Sequence, residues 1–263
     1  MAEESIFNPE TVIQRVAKVR NQWLANKSHP KSWKDADALV IVQGKFGEDV
    51  YHKPRIYQQY LLNYELSLTI MLLTKDHLTI LTSAKKAAAF EKDCGAVFGD
   101  SVTGGSLGLT VLVKDKSDGY AANFAALMSA AKKDATATLK LGTFTKVQQE
   151  GNFAAGWEEF VAKDAAVTVV DVTSGFAEVS AVKDDSEILN SKNAARLSGK
   201  VMNIVKQEII KAIDEGTPPT HQTLSEKIDG ILSNPIKQLK LSNVEEEDFE
   251  SCYSPTIQSG GGD

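Results

Sequence analysis

The sequence predicts an α/β fold: a mixed six-stranded sheet flanked by helices, followed by a mostly helical second region. Three observations predict it. Across residues 1–176, helical stretches alternate with about six apolar runs of strand length, the pattern of a sheet with helices on its faces. Two of those runs are separated only by Thr74-Lys75-Asp76, too short for a crossover, so that pair is an antiparallel hairpin. Beyond Val179–Ser198 the period changes, and one long helical pattern replaces the alternation.

The elements follow in order. Asn8-Pro9-Glu10 starts a helix, with Asn as cap, Pro in the first turn and an acid where the helix dipole favours one. Val12, Val16, Val19 and Trp23 then form one buried stripe that ends near Ala25. Ser28–Lys34 is a polar loop. Ala36–Val42 is a continuous apolar run, which suits a strand covered on both faces. Gly44–Asp49 is a turn, and Pro54 opens a short helix over Arg55–Leu62. The hairpin strands are Leu66–Leu73 and His77–Thr82. Ser83 caps an alanine-rich helix, Ala84–Lys92, and Leu107–Val113 is a strand. A helix is expected over Asp118–Lys133, a short strand over Leu139–Gly142, a helix over Gly156–Lys163 and a last strand over Ala166–Val172.

Val179–Ser198 reads as a joint. It carries Lys183, Glu187 and the small pair Ala194-Ala195, and a long helix is expected from Ser186 to Asp214. Gly216 and Pro218-Pro219 end that helix. Thr220 caps a second helix to about Leu232, and Asn234-Pro235 breaks it. The expected division is 1–176 and 177–263. Two helices and a single strand at most are too little to close an α/β core, so the long helix is expected to leave an apolar face uncovered.

Composition narrows the function classes. The 263 residues are 42% hydrophobic and 24% charged, ordinary for a protein that buries a core. No apolar run approaches the ~20 residues that span a bilayer, and the first residues lack the pattern of a secretory signal. Cys94 and Cys252 fall in different expected domains, which argues against a disulfide framework. With His29, His52, His77 and His221 they form no zinc-ligand spacing. The net charge of −6 resides in residues 241–263, whose acids are Glu245, Glu246, Glu247, Asp248, Glu250 and Asp263. A neutral body with an acidic end is a poor phosphate binder, so no nucleic-acid partner is expected. That acidic segment either meets a basic protein or is a solvated loop, the simpler reading on charge alone.

Motifs for catalysis are weak. Gly104, Gly105 and Gly108 form no phosphate-binding loop, because no lysine follows them. Gly44-Lys45-Phe46-Gly47 is likewise a turn. Ser106 lacks the flanking glycines of a nucleophile elbow. Glu65 is expected to be partly exposed and paired to a backbone group, and His77 to be a strand-end residue with a satisfied ring. Asp184 and Asp185 precede the long helix and favour its N-terminus. No further ligands converge on them to make a metal pair. Trp23, Trp33 and Trp157 are packing residues. No catalytic, cofactor-binding or metal residue is assigned, no cofactor is expected, and the binding residues stay unassigned.

Five blocks, in order along the chain, carry a family resemblance: Trp33–Gly44, Asn63–Leu73, Gly151–Val161, Val179–Leu197 and Cys252–Gly261. The chain resembles the N-terminal region of the large subunit of FACT, the histone chaperone complex. The resemblance implies a lobe like the N-terminal domain of creatinase and prolidase, then the opening of a pita-bread aminopeptidase-like domain that stops soon after its first two helices. It implies no peptidase activity, since the family does not keep the metal ligands. The implied partners are histones, the HMG-box small subunit of FACT or other chromatin proteins. The implied setting is the nucleus, in nucleosome reorganisation during transcription, replication and repair. The family subunit is several times longer, with a middle domain and an acidic tail. A fragment, an incomplete product and a shortened paralogue are therefore all open. A competing partner of the full subunit and a remnant of a prolidase-like enzyme are the alternative functions.

Overall fold

The computed structural model describes residues 5–49, 51–99, 105–133, 135, 137–239, 241 and 249–260. Glu245, Glu246, Glu247, Asp248, Asp263 and Gly104 lie outside the described residues. The chain divides into two compact units, Met1–Val182 and Lys183–Asp263.

The first unit is built on one sheet of six strands: β1 (Ala38–Gln43), β2 (Thr69–Leu73), β3 (His77–Thr82), β4 (Gly108–Val113), β5 (Leu139–Thr143) and β6 (Val167–Asp171). Their spatial order is β4-β3-β2-β1-β5-β6. β2 runs antiparallel to both β1 and β3, as the short hairpin link dictates. The other neighbours are parallel, so the sheet is mixed.

Every residue of β1 is buried, because helices cover both of its faces. Alternation sends Leu39 and Ile41 to one face and Ala38, Val40 and Val42 to the other. On the first face lie α1 (Pro9–Ala25), α2 (Lys53–Leu62), α3 (Ala84–Cys94) and a helix at the end of the unit, Thr173–Ala181. Val12, Val16, Val19 and Trp23 form the α1 stripe, and Asn8 Oδ1 accepts from the Thr11 amide at its cap. On the second face lie α4 (Ala121–Lys132) and α5 (Asn152–Ala162), which contribute Phe124, Leu127, Phe153 and Trp157. Trp23, Trp33 and Trp157 are all buried. Burial of each large apolar side chain contributes about 1.5–3 kcal/mol.

Several boundaries differ from the sequence reading. β2 begins at Thr69 rather than Leu66, because Leu68 has φ 52° and the Leu66 amide donates instead to Gln58 Oε1 at 2.5 Å. α5 begins four residues early, after Gly151 at φ 90°. Ser83 stands at the cap position of α3, but its hydroxyl makes no cap hydrogen bond. The helix Thr173–Ala181, named α6 here, has no sequence-level counterpart. It buries Phe176 and Val179 in the lobe core, which carries the first unit past Phe176 to Val182.

The second unit holds α7 (Asp185–Glu215), α8 (His221–Leu232) and α9 (Pro235–Leu239), with no strand among its described residues. The expected joint is mostly α7, since a capping box starts that helix at Asp184. There Asp184 Oδ1 accepts from the Glu187 amide at 2.8 Å, and Glu187 Oε2 accepts from the Asp184 amide at 2.9 Å. Gly216, at φ 65°, ends α7, and Thr220 caps α8. Val201, Val205, Leu224, Ile228, Ile231 and Leu239 form a small core. Leu189, Met202 and Ile213 of α7 stay exposed.

Candidate functional site

Adjacent parallel strands β1 and β5 send their chains to opposite faces of the sheet, β1 into α2 and β5 into α5. In open α/β sheets such a switch point, beyond the carboxyl ends of the strands, is where a crevice forms. Here the crevice lies between the loop after β1 and the loop after β5.

The two loops are stitched together. Gln149 Nε2 donates to the Val42 carbonyl at 2.7 Å, and its Oε1 accepts from the Gly44 amide at 3.2 Å. The Lys45 amide donates to the Glu150 carbonyl at 2.8 Å. His52 Nε2 donates to the Gln148 carbonyl at 3.1 Å. The loops approach so closely that only glycine fits at position 44, and glycine at 47 leaves room for the end of the Glu150 side chain. A Cβ on Gly44 would lie 2.2 Å from the Glu150 carbonyl oxygen, and one on Gly47 would lie 2.2 Å from Glu150 Oε1.

What remains between the loops is a cavity of about 30 Å³. Gln43, the last residue of β1, forms its floor and is 2% exposed. Its Oε1 is buried and has no hydrogen-bond partner. Lys45, Asp49 and Glu150 are exposed at the rim, and His52 and Arg55 are half-buried. Arg55 is held in place, with its Nε donating to Glu65 Oε1 at 2.8 Å and its guanidinium 4.9 Å from the Phe46 ring centroid. Glu65 therefore pairs with a guanidinium rather than with a backbone group.

Polar groups away from the cleft have structural roles. His77 Nε2 and Thr110 Oγ1 are 2.7 Å apart across β3 and β4. Asp184 is a helix cap. Ser32 Oγ donates to Glu178 Oε1 at 2.5 Å and lies 2.9 Å from His29 Nδ1. In a nucleophilic triad the imidazole stands between hydroxyl and carboxylate. Here the buried hydroxyl stands between the other two and ties the Ser28–Lys34 loop to α6. Cys94 is buried, and desolvation, then Asp93, pushes its thiol up to about 12. Lys114 Nζ donates to the Leu68 carbonyl at 2.7 Å, and burial, then Lys86 and Lys116, pushes its amine down to about 8.

Among the described residues, no group of three or more His, Cys, Asp or Glu side chains is placed to hold a metal ion. No helix among them is long and apolar enough to cross a membrane. Sequence reasoning missed the cleft, because its walls are about a hundred residues apart in the chain. The one local signal was a glutamine closing an otherwise apolar strand run.

Comparison with known proteins places this architecture. FACT complex subunit SPT16 of Arabidopsis thaliana is 32% identical over 258 residues, which is 95% of this chain and 23% of that protein. The Mycosarcoma maydis subunit is 29% identical over 269 residues, or 99% of this chain and 25% of that protein. The chain thus spans about a quarter of the length of these curated relatives. The solved N-terminal domain of SPT16 from Cicer arietinum matches with TM-score 0.75 and 26% identity, over 92% of this chain and 54% of that one. The corresponding domain from Eremothecium gossypii, 22% identical with TM-score 0.76 over 95% of this chain and 55% of that one, shares the fold. A family model described as the FACT complex subunit SPT16 N-terminal lobe domain matches residues 7–175, nearly the whole first unit. With its sheet, its switch-point cleft and most of the lobe core inside that match, the chain belongs to the SPT16 N-terminal lobe family of the FACT complex.

Proposed function

We propose that this chain is a non-catalytic chromatin module of the FACT histone-chaperone type. Its lobe binds histones or other chromatin proteins in the nucleus during nucleosome reorganisation, and the HMG-box subunit of FACT is a further candidate partner. The observation that carries this reading is the family match over residues 7–175. The second unit would be the opening of a pita-bread domain and would contribute packing rather than chemistry. The site geometry agrees with binding rather than turnover. The cleft at the switch point is lined by Gln43 and by charged rim residues, and no nucleophile is paired with a base among them.

A pull-down of core histones by the full chain at moderate salt tests the reading. The expected result is retention well above a neutral control protein of the same size. Retention equal to that control would overturn it.

A further inference from the structure

We propose that the free edge of β6 takes up an extended basic peptide as a seventh strand, seating one large apolar side chain of that peptide in the groove beside α5. The inference rests on the binding reading above and names the form in which the partner is held.

Three observations carry it. The first is the edge itself. β6 ends the strand order and pairs with β5 on one side. The Leu139 amide donates to the Ala166 carbonyl at 2.8 Å, and the Val172 amide donates to the Thr143 carbonyl at 3.0 Å. In a parallel ladder these bonds turn the even-numbered residues of β6 toward β5 and leave the amide and carbonyl of Val169 pointing outward. Neither has a partner among the described residues. The strand carries no lysine, proline or bulge of the kind that guards an edge against pairing. At the opposite edge, by contrast, Gly99 already exchanges both backbone bonds with Leu107, just before β4. The second observation is the groove. Val167 and Val169 share the face packed by α5, yet Val169 is 44% exposed. Between them and α5 lies a groove of about 380 Å³, with the buried Leu141, Trp157 and Val161 along it. A strand added beyond Val169 sends alternate side chains to that face, next to the groove. The groove has the size of pockets that enclose apolar groups. The third observation is charge. Glu158 is the one charged residue on the groove lining among the described residues, and it is exposed. Lys163 on the same helix is paired with Glu159 at 2.7 Å, and Asp171 at the end of β6 is attracted by Lys34, so these charges offset one another. The carboxylate left over favours a cation beside the apolar anchor. It also argues against a second copy of this chain as the occupant. Two β6 edges paired about a two-fold axis normal to the sheet would bring Glu158 of each copy to the same side of the joint sheet, like charge facing like.

The test is fluorescence anisotropy on the full chain with a short labelled peptide in which valines flank one phenylalanine and lysines close both ends. Three counterparts carry Nα-methyl groups at the valines, alanine for the phenylalanine, or glutamate for the lysines. Histone retention is measured on the same samples. Methylation removes main-chain donors and is expected to weaken binding by about tenfold or more. Loss of the phenyl ring is expected to weaken it by about tenfold. The glutamate peptide is expected to bind more weakly than the parent. Val169→Pro removes the outward amide and leaves the β5 ladder bonds in place, so it should weaken the parent peptide as methylation does. Glu158→Lys should weaken the parent and tighten the glutamate peptide, a reversal that a merely structural role would not produce. Should Val169→Pro fail to fold, the methylated peptide and Glu158→Lys still decide. Equal binding of the methylated and parent peptides, or no binding of the parent, overturns strand addition. With histone retention intact, that result leaves the proposed function standing. Peptide binding as expected without histone retention overturns the proposed function alone. A dimer in sedimentation that Val169→Pro dissolves would overturn the peptide in favour of a second copy.

Discussion

Lys114 shows how one residue joins packing to pH behaviour. Its ammonium is half-buried, donates to the Leu68 carbonyl and lies 4.9 Å from the Phe153 ring centroid. Lys86 binds the neighbouring Ser67 carbonyl at 3.2 Å, so two cations share one loop, and burial lowers the amine of Lys86 as well. Both folded-state values are depressed, which means the folded protein loses these protons before the unfolded chain does. Between about pH 8 and the ordinary lysine value of about 10.4, the unfolded state therefore binds more protons, and stability rises with pH from this pair. Solvent around these partly exposed groups tempers the gain. Urea denaturation at pH 7.5 and 9.5 checks it. The stability difference, higher pH minus lower, should be more positive in the unaltered chain than in Lys114→Met. An equal difference in the two proteins would remove Lys114 as its source.

At the scale of elements, legibility depended on whether the determining contact was local. α1 was readable because its cap, its proline and its apolar stripe are all within seventeen residues. The capping box at Asp184 and Glu187 is likewise local, although the sequence reading credited Asp184 with its charge alone. α6 was not readable. Val172 gives it no side-chain cap, and Gly175 interrupts a run of only nine residues. The helix exists because Phe176 and Val179 bury against the lobe, and because Trp33 needs the space over Gly175. A Cβ at Gly175 would meet the Trp33 ring at 2.6 Å. Gly175→Ala is therefore expected to lower lobe stability by about 1–3 kcal/mol through overpacking, despite the higher helix propensity of alanine. Chemical denaturation checks this, and an unchanged midpoint would show that Trp33 has room to move. α9 follows a similar logic: Asn234-Pro235 reads as a breaker, yet proline in a first helical turn starts the next short helix. The candidate cleft was the least legible feature. Gln43 gains meaning only when Glu150 arrives from a loop about a hundred residues on, a juxtaposition set by the pairing of β1 with β5.

For the whole molecule, composition and element order were enough to give the mixed sheet, and the residue blocks from Trp33 to Gly261 pointed to the family. The match to the SPT16 N-terminal lobe lies inside the first unit, and that unit is the part we propose to bind a basic chromatin protein. The acids of residues 241–263 give the chain its net charge of −6, and long-range attraction to a basic partner from that end would speed encounter rather than define the contact. Hydrogen exchange on the full chain, with and without core histones, separates the two contributions. The account predicts slowed exchange in the lobe at Val167–Asp171 when histones are bound. Histone binding with no change in exchange anywhere in Met1–Val182 would contradict it.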